Sequence, residues 1–425
     1  INSVDESVLS PFRPGDRVVS VAGRRLKRVT DLIQVIDEAT SSNSLPVEIV
    51  RKGQTIRDSW MICRDDGEAK TSIEHTGEIP RRLGFSVQAF ALDPTPACRV
   101  TTTRDGSPSE IRLPRGSYLF LLRKEGYADT RLPVTMPVHP SQKDAPFSVR
   151  LLKPAEIPDG FVYVPGGPFP SGGDTSADSP LPTGYPQVGD FLIQRLEVTV
   201  GDWAKFLNAR SVPESGRTKR SIEWPSNLVP KASTRRTFTD HVVTLAPRVG
   251  NARIFKKSGG RWVESRFVDP EDPMFRVSLF VALEYAKWYD EIHGNETWRF
   301  RLPNDEEWEK AARGADRRIF PWGSAPIYTF CGSRQGMVNA GDFRTTGSFP
   351  FDESPYGVRD LSGGRAEVLG VRRSQEHFRF VTVRGGSYSD TDDYFFRVTN
   401  RNGILPEIHD TRIGLRLVAV PAESE

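Results

Sequence analysis

The chain reads as a multidomain α+β protein, mostly β, in three consecutive units. Three observations predict this. Its 425 residues exceed one ordinary core of about 100–200 residues. With 36 Gly and 33 Pro against 37% hydrophobic residues, the composition suits short strands and long loops better than a helical bundle. Alternating apolar runs broken by turn dipeptides fill the first 150 residues, and helical spacing appears mainly later.

Charge and cysteine usage exclude several classes. Lys and Arg outnumber Asp and Glu by three, 58 against 55, and the basic residues are scattered, so no nucleic-acid footprint is present. No apolar run approaches the roughly 20 residues of a membrane helix, so no membrane insertion is expected. The sequence opens "INSVDESVL", without Met and without a charged-then-apolar leader, as a piece of a longer protein would. A periplasmic or extracellular location is favoured slightly over a cytoplasmic one. Cys63, Cys98 and Cys331 form no C-x-x-C pair and read as buried free thiols. The six histidines have no metal-ligand spacing.

The first unit, 1–66, reads "FRPGDRVVSVAGRRLKRVTDLIQVIDEA" and then "LPVEIVRKGQTIRDSWMI". Val18–Val21 alternates as a strand, Ala22-Gly23 is a turn, and Val29–Ala39 carries helical spacing through Leu32, Ile33 and Ile36. "PGDRVVSVAGRRL" resembles a bacterial PDZ domain, a small β-barrel that captures extended peptides beside its second strand. The carboxylate loop and first strand of that fold would precede Ile1, so the unit is a partial PDZ-like barrel. The second unit, 80–153, alternates through "FSVQAFAL", "LPRGSYLFLLRKEGYADTRLPVTM" and "FSVRLL", with turns at Asp105-Gly106 and Arg115-Gly116. It resembles a PEGA-type antiparallel β-sandwich, with "RKEGY" as a solvated edge.

The third unit, 158–421, carries the specific signal. Asn304 before "DEEWEKAAR" is an N-cap with Glu307 completing a capping box, and the acids of that turn suit the positive end of the helix dipole. Ser278 is placed to cap "LFVALEYAKWYDEI", whose Leu279, Leu283, Ala286 and Tyr289 share a face. Trp203, Trp288, Trp308 and Trp322 read as core aromatics. Two helices on a small twisted sheet are expected, with long loops carrying the function.

Six ordered blocks, "FVYVPGGPFPSGGD", "DFLIQRLEVTVGDWAKFLNA", "YAKWYDEIHGNETWRFRLPNDEEWEKAARG", "FPWGS", "TTGSFPFDESPYGVRDLSGGRAE" and "VRGGSYSD" through "RIGLRLV", resemble the formylglycine-generating, sulfatase-modifying family, which has a C-type-lectin-like fold. In that family, the resemblance implies, active members place two copper(I)-binding cysteines, with four residues between them, after the R-G-G-S block. Matching that block to Arg384–Ser387 puts Asp390 and Phe395 at the thiol positions, and no two cysteines of this chain lie five apart. A carboxylate is a hard ligand and a phenyl ring is none, so copper is not expected.

The resemblance also implies a calcium loop at "DLSGGRAE", with Asp360, the main-chain oxygens of Gly363 and Arg365, and Glu367 as oxygen donors. Gly364 and Val368 depart from the family's usual Asn and Trp. The alternative for Asp360 and Glu367 is a turn and salt-bridge role.

Without its thiols the segment still offers a polar, aromatic surface. Ser387, Tyr388, Asp390, Asp392, Asp393, Tyr394, Arg397, Asn400, Arg401, Asn402 and His409 are the expected ligand-binding residues. The expected function is non-catalytic recognition of a protein, peptide or glycan, in an architecture resembling the sensory C-terminal part of bacterial multidomain proteins, which often carry a Ser/Thr kinase upstream. Three alternatives stand beside it. One is an enzyme of the same superfamily using other oxidative chemistry, such as iron-dependent sulfur–carbon bond formation. Another is a retroelement-diversified variable protein of lectin fold, and the last is a scaffold acting through the PDZ-like unit.

Overall fold

The computed structural model describes residues 17–21, 24–25, 44–51, 54–61, 86–91, 116–136, 149–213, 215–223, 237–249, 252–336, 345–370 and 380–422. These divide into two compact units, Ile1–Arg150 and Leu151–Glu425.

The first unit contains a four-stranded antiparallel sheet ordered Arg24–Arg25, Arg17–Val21, Ser44–Arg51, Gln54–Met61. A three-stranded antiparallel sheet follows, ordered Ser86–Ala91, Gly116–Arg123, Thr130–Met136. In Gly116–Arg123 the alternate residues Tyr118, Phe120 and Leu122 are buried, as a one-faced strand requires. "RKEGY" proves to be a hairpin turn rather than a strand edge, its base tied by Arg123 Nε to Asp129 at 2.9 Å. The helix expected at 29–39 and the turn at 105–106 lie outside the described residues.

In the second unit an antiparallel sheet runs in the order Trp298–Arg301, Val418–Pro421, Phe191–Gln194, Phe161–Val164. All its strands but the edge strand Trp298–Arg301, which alternates with arginine, are apolar nearly throughout because both faces are covered. Phe191, Ile193, Val418, Val420 and Val164 pack with Trp308, Ala311 and Ala312 in one cluster. The alternate residues Phe161 and Phe300 instead meet Tyr289, with ring centroids 6.3 and 5.1 Å away. Period-2 alternation thus puts one helix on each face.

Three α-helices occur among the described residues: α1 (Val200–Ala209), α2 (Leu279–His293) and α3 (Asp305–Arg313). The two-helix expectation omitted α1. Its signal is present in the sequence: Thr199 caps it, accepting from Asp202 N in a capping box, and Val200, Trp203, Ala204 and Leu207 are buried at i, i+3, i+4, i+7. Trp203 stacks on Tyr285 of α2 with centroids 4.9 Å apart and planes 4° apart. Two details of α2 also differ from expectation. Ser278 stands at the cap position but makes no side-chain cap bond, and the buried face runs through Leu279, Ala282, Tyr285, Ala286 and Trp288, leaving Leu283 and Tyr289 half-buried. Trp203, Trp288 and Trp308 are buried as expected; Trp322 is partly buried and stacks on Phe320.

A second sheet, Asn402–Ile404, Val381–Arg384, Ala366–Val368, Ile413–Gly414, carries the segments of interest at its strand ends. Among the described residues no helix is long and apolar enough to cross a membrane.

The cap of α3 has its full set of bonds: Asn304 Oδ1 accepts from Glu306 N and Glu307 N, and Glu307 returns to Asn304 N. Asn304→Ala is expected to lower stability by about 1 kcal/mol, read as a lower urea midpoint with an unchanged slope.

Candidate functional site

The strand Val381–Arg384 ends in a turn that requires glycine. Gly385 and Gly386 have φ of 92° and 69°, and a Cβ at either would lie 2.9 Å from a carbonyl oxygen, Leu361 O or Phe395 O. Ahead of the turn, Arg384 is fully buried over the Trp308 ring, 5.4 Å from its centroid. Its guanidinium donates to Asp305 Oδ1 at 2.9 Å, Glu309 Oε2 at 3.2 Å and Val398 O at 2.9 Å.

After the turn, Asp390 folds back on the serine. Ser387 N and Ser387 Oγ both donate to Asp390 Oδ2 at 2.8 Å. The carboxylate therefore closes a local turn. Phe395 pairs with Tyr394, their centroids 4.0 Å apart.

The remaining predicted residues divide by direction. Arg397 clamps Asp174 at 2.9 and 3.0 Å and Asp393 at 2.7 Å. Asn400 is buried and accepts from Asp178 N at 2.8 Å. Arg401 makes a bidentate pair with Asp305, both bonds 2.9 Å, and reaches Ser179 O. These three side chains hold the loop to segment 174–179 and to α3, and so face inward. Asn402 lies in an edge strand opposite Val383. Tyr388 stacks over Arg365, 4.7 Å away, with its hydroxyl 3.2 Å from Thr411 Oγ1. Asp392 is exposed, Tyr394 and Phe395 are half-buried, and His409 is exposed with Nδ1 3.1 Å from Glu407 O. The outward face thus consists of Asp392, Tyr394 and Phe395, with His409 exposed farther along the chain.

Burial alone would raise the Asp305 carboxyl, but Arg384 and Arg401 hold it below its ordinary value. Asp174, Asp178, Asp305 and Glu309 were missed as functional partners by sequence reasoning. Asp305 and Glu309 are four apart in one helix, which puts both carboxylates on the face that meets Arg384.

The expected calcium loop is organised around an internal cation. Arg416 is fully buried; it donates to Glu367 Oε1 at 2.8 Å and to the carbonyls of Gln194, Arg195, Arg359 and Asp360. Trp308 Nε1 takes the other Glu367 oxygen at 2.7 Å. Each Glu367 oxygen thus accepts a hydrogen bond from within the protein, the salt-bridge role that stood as the alternative to calcium ligation. Asp360 sits at φ 54° with Oδ2 bonded to Gly347 N. Buried oxygens without hydrogen-bond partners occur nearby on Glu197, Asp352 and Asp360. Burial and the neighbouring carboxylates raise all three acids above their ordinary values. Among the described residues no group of three or more His, Cys, Asp or Glu side chains is disposed to hold a metal ion. Cys331 is buried and free, and burial pushes its thiol well above the ordinary range.

Residues 149–420 match the sulfatase-modifying factor enzyme 1-like domain. The chain belongs to that family. It is 30% identical over 313 residues to the formylglycine-generating enzyme of Thermomonospora curvata, covering 65% of this chain and 98% of that one. It is also 27% identical over 278 residues to the inactive C-alpha-formylglycine-generating enzyme 2 of Bos taurus, covering 60% and 86%. Hercynine oxygenase of Mycobacterium tuberculosis is 29% identical over 269 residues, covering 57% of this chain and 55% of that protein. In this sulfatase-modifying factor enzyme 1-like domain, the Arg384 and Arg416 clusters fix the two loops on which the family resemblance placed chemistry.

Two measurements check the Glu367 assignment. Millimolar calcium is expected to leave the melting temperature of the full chain unchanged. Glu367→Gln is expected to cost about 3–5 kcal/mol in chemical unfolding, because it leaves Arg416 buried without its countercharge.

Proposed function

We propose that the sulfatase-modifying factor enzyme 1-like domain is a non-catalytic ligand-recognition or sensor module. The observation that carries this reading is the state of Asp390 and Phe395. At the positions where the family resemblance places copper-binding thiols, one side chain is a carboxylate committed to Ser387 and the other a ring tilted against Tyr394. Neither supplies the soft sulfur donor that copper(I) requires. The likeness to a relative named as inactive supports the same direction.

Recognition is favoured by how the loop is held. Arg397, Asn400 and Arg401 spend their hydrogen bonds on the scaffold, so the exposed Asp392 and the Tyr394–Phe395 pair are presented on a fixed backbone. Fixing a loop before binding lowers the ordering cost of association. An aromatic pair beside a carboxylate offers contact area and hydrogen bonding to a protein, peptide or glycan.

The second reading, oxidative chemistry of another kind, takes its support from the likeness to hercynine oxygenase. One pair of experiments separates the two. The full chain is screened against peptide and glycan arrays, and its copper and iron content is measured as purified. The recognition reading expects a saturable ligand whose affinity falls at least about tenfold, or about 1.4 kcal/mol, in Asp392→Ala and Tyr394→Ala, with the melting temperature preserved. Conversion of a cysteine-containing sulfatase peptide to an aldehyde with copper and air, or stoichiometric iron with peptide oxidation, would overturn it.

A further inference from the structure

Helix α3 carries a lysine into the interior. Lys310 is 2% exposed, and among the described residues its ammonium has one acceptor, Gly167 O at 3.0 Å. An ammonium has three N–H donors, so the charged form leaves two of them without an acceptor among the described residues. The nearby acid does not fill the gap. Asp190 is the charged group whose field reaches Lys310, and its Oδ1 already accepts from Tyr163 Oη at 2.8 Å and Gly166 N at 2.6 Å.

The other ionisable groups packed around this point are committed elsewhere. On α3, Asp305 pairs with Arg384 and Arg401, Glu307 with Arg301, and Glu309 with Arg313 and Arg384, while Glu306 lies at the first turn. The strand Phe161–Val164 contributes Tyr163, the segment leading into Phe191–Gln194 contributes Asp190, and the turn at Gly166–Pro168 contributes no ionisable side chain.

The carbonyl that Lys310 holds opens a segment bearing on the candidate surface. Past Gly167 the chain stays on α3: Gly172 N donates to Glu309 Oε1 at 2.8 Å, and Arg313 donates to Pro170 O and Gly172 O at 3.2 and 2.7 Å. Beyond Gly172 the segment meets Arg397 through Asp174, Asn400 through Asp178 and Arg401 through Ser179. One continuous stretch therefore runs from the buried amine to the back of the recognition loop.

We propose that Lys310 makes the seating of segment 167–179, and through it the 397–401 wall of the candidate surface, sensitive to pH, with the uncharged amine keeping the segment seated and protonation loosening it. What the surface binds rests on the function proposed above; the latch rests on the packing of α3 against this segment. Burial pushes the Lys310 ammonium down to about 7. An opened segment returns the side chain to water and to the ordinary lysine value of about 10.4. The penalty of the buried charge is therefore complete below about 7 and is relieved as pH rises from there toward about 10.4. Within that window the seated state gains roughly tenfold over the opened state per pH unit.

The test uses amide hydrogen exchange of the full chain between pH 7 and 9, corrected for intrinsic rates, without any ligand. Protection of amides within 169–179 is expected to rise roughly tenfold per pH unit in the wild type and to be flat in Lys310→Met, which fills the same space without a charge. Wild-type protection independent of pH, or the same slope in both proteins, overturns the proposal. Should Lys310→Met fail to fold, NMR titration of the lysine Cε resonances in the wild type decides. One lysine titrating near neutrality in step with the protection supports the latch, and none doing so overturns it. Because no ligand enters, a failed ligand screen leaves this result untouched.

Discussion

Arg384 sits where three parts of the second unit meet, and its guanidinium is wholly removed from water. A buried charge costs several kcal/mol unless it is paired and hydrogen-bonded. The pairing here is specific in its consequences. Asp305 and Glu309 come from α3, and Val398 O comes from the loop after the glycine turn. Glu309 reaches on to Gly172 N, and Asp305 to Arg401. The strand end, α3, segment 172–179 and the loop 387–401 are thereby referred to one cation.

Such a node suits chain that has no ladder to fix it. The stretches 169–186 and 385–401 contain little regular structure, yet Phe169–Gly172, Gly385–Ser387 and Val398–Asn400 are buried. Backbone groups there must find partners one by one. Charged side chains on α3 supply them, which explains why Glu307, Glu309, Lys310 and Arg313 are all buried on a helix whose sequence looks solvent-facing. Arg416 performs the corresponding task for the loop at Arg359–Asp360, gathering four carbonyls and Glu367 about one guanidinium. Where a metal ion would impose its coordination geometry, the planar arginine fork imposes its own.

The sequence made local events legible and long-range ones obscure. The α3 cap was readable because Asn304 and Glu307 sit three apart, and the core role of Trp308 because it is a large aromatic on an amphipathic helix. Helix α1 was readable through Thr199 and Asp202 and was passed over. The glycine turn and the polar character of 388–409 were visible in composition. The direction of each side chain was not. Arg397, Asn400 and Arg401 looked like a recognition surface because nothing local reveals that Asp174, Asp178 and Asp305, roughly 100 to 220 positions away, would claim them. The partners of Glu367 were hidden for the same reason, since Arg416 and Trp308 reach it from 49 and 59 positions away. Ion pairs between distant segments leave no periodicity in the chain.

The central claim is that a buried charge node holds the loop 387–401 in place. A double-mutant cycle between Arg384 and Glu309, using Arg384→Met and Glu309→Gln in chemical unfolding, tests it most directly. The account predicts large single losses and a coupling of about 2 kcal/mol or more, within the range for residues sharing one buried network, with amide protection lost together in 172–179 and 397–401. Additive losses with protection unchanged in those segments would contradict it.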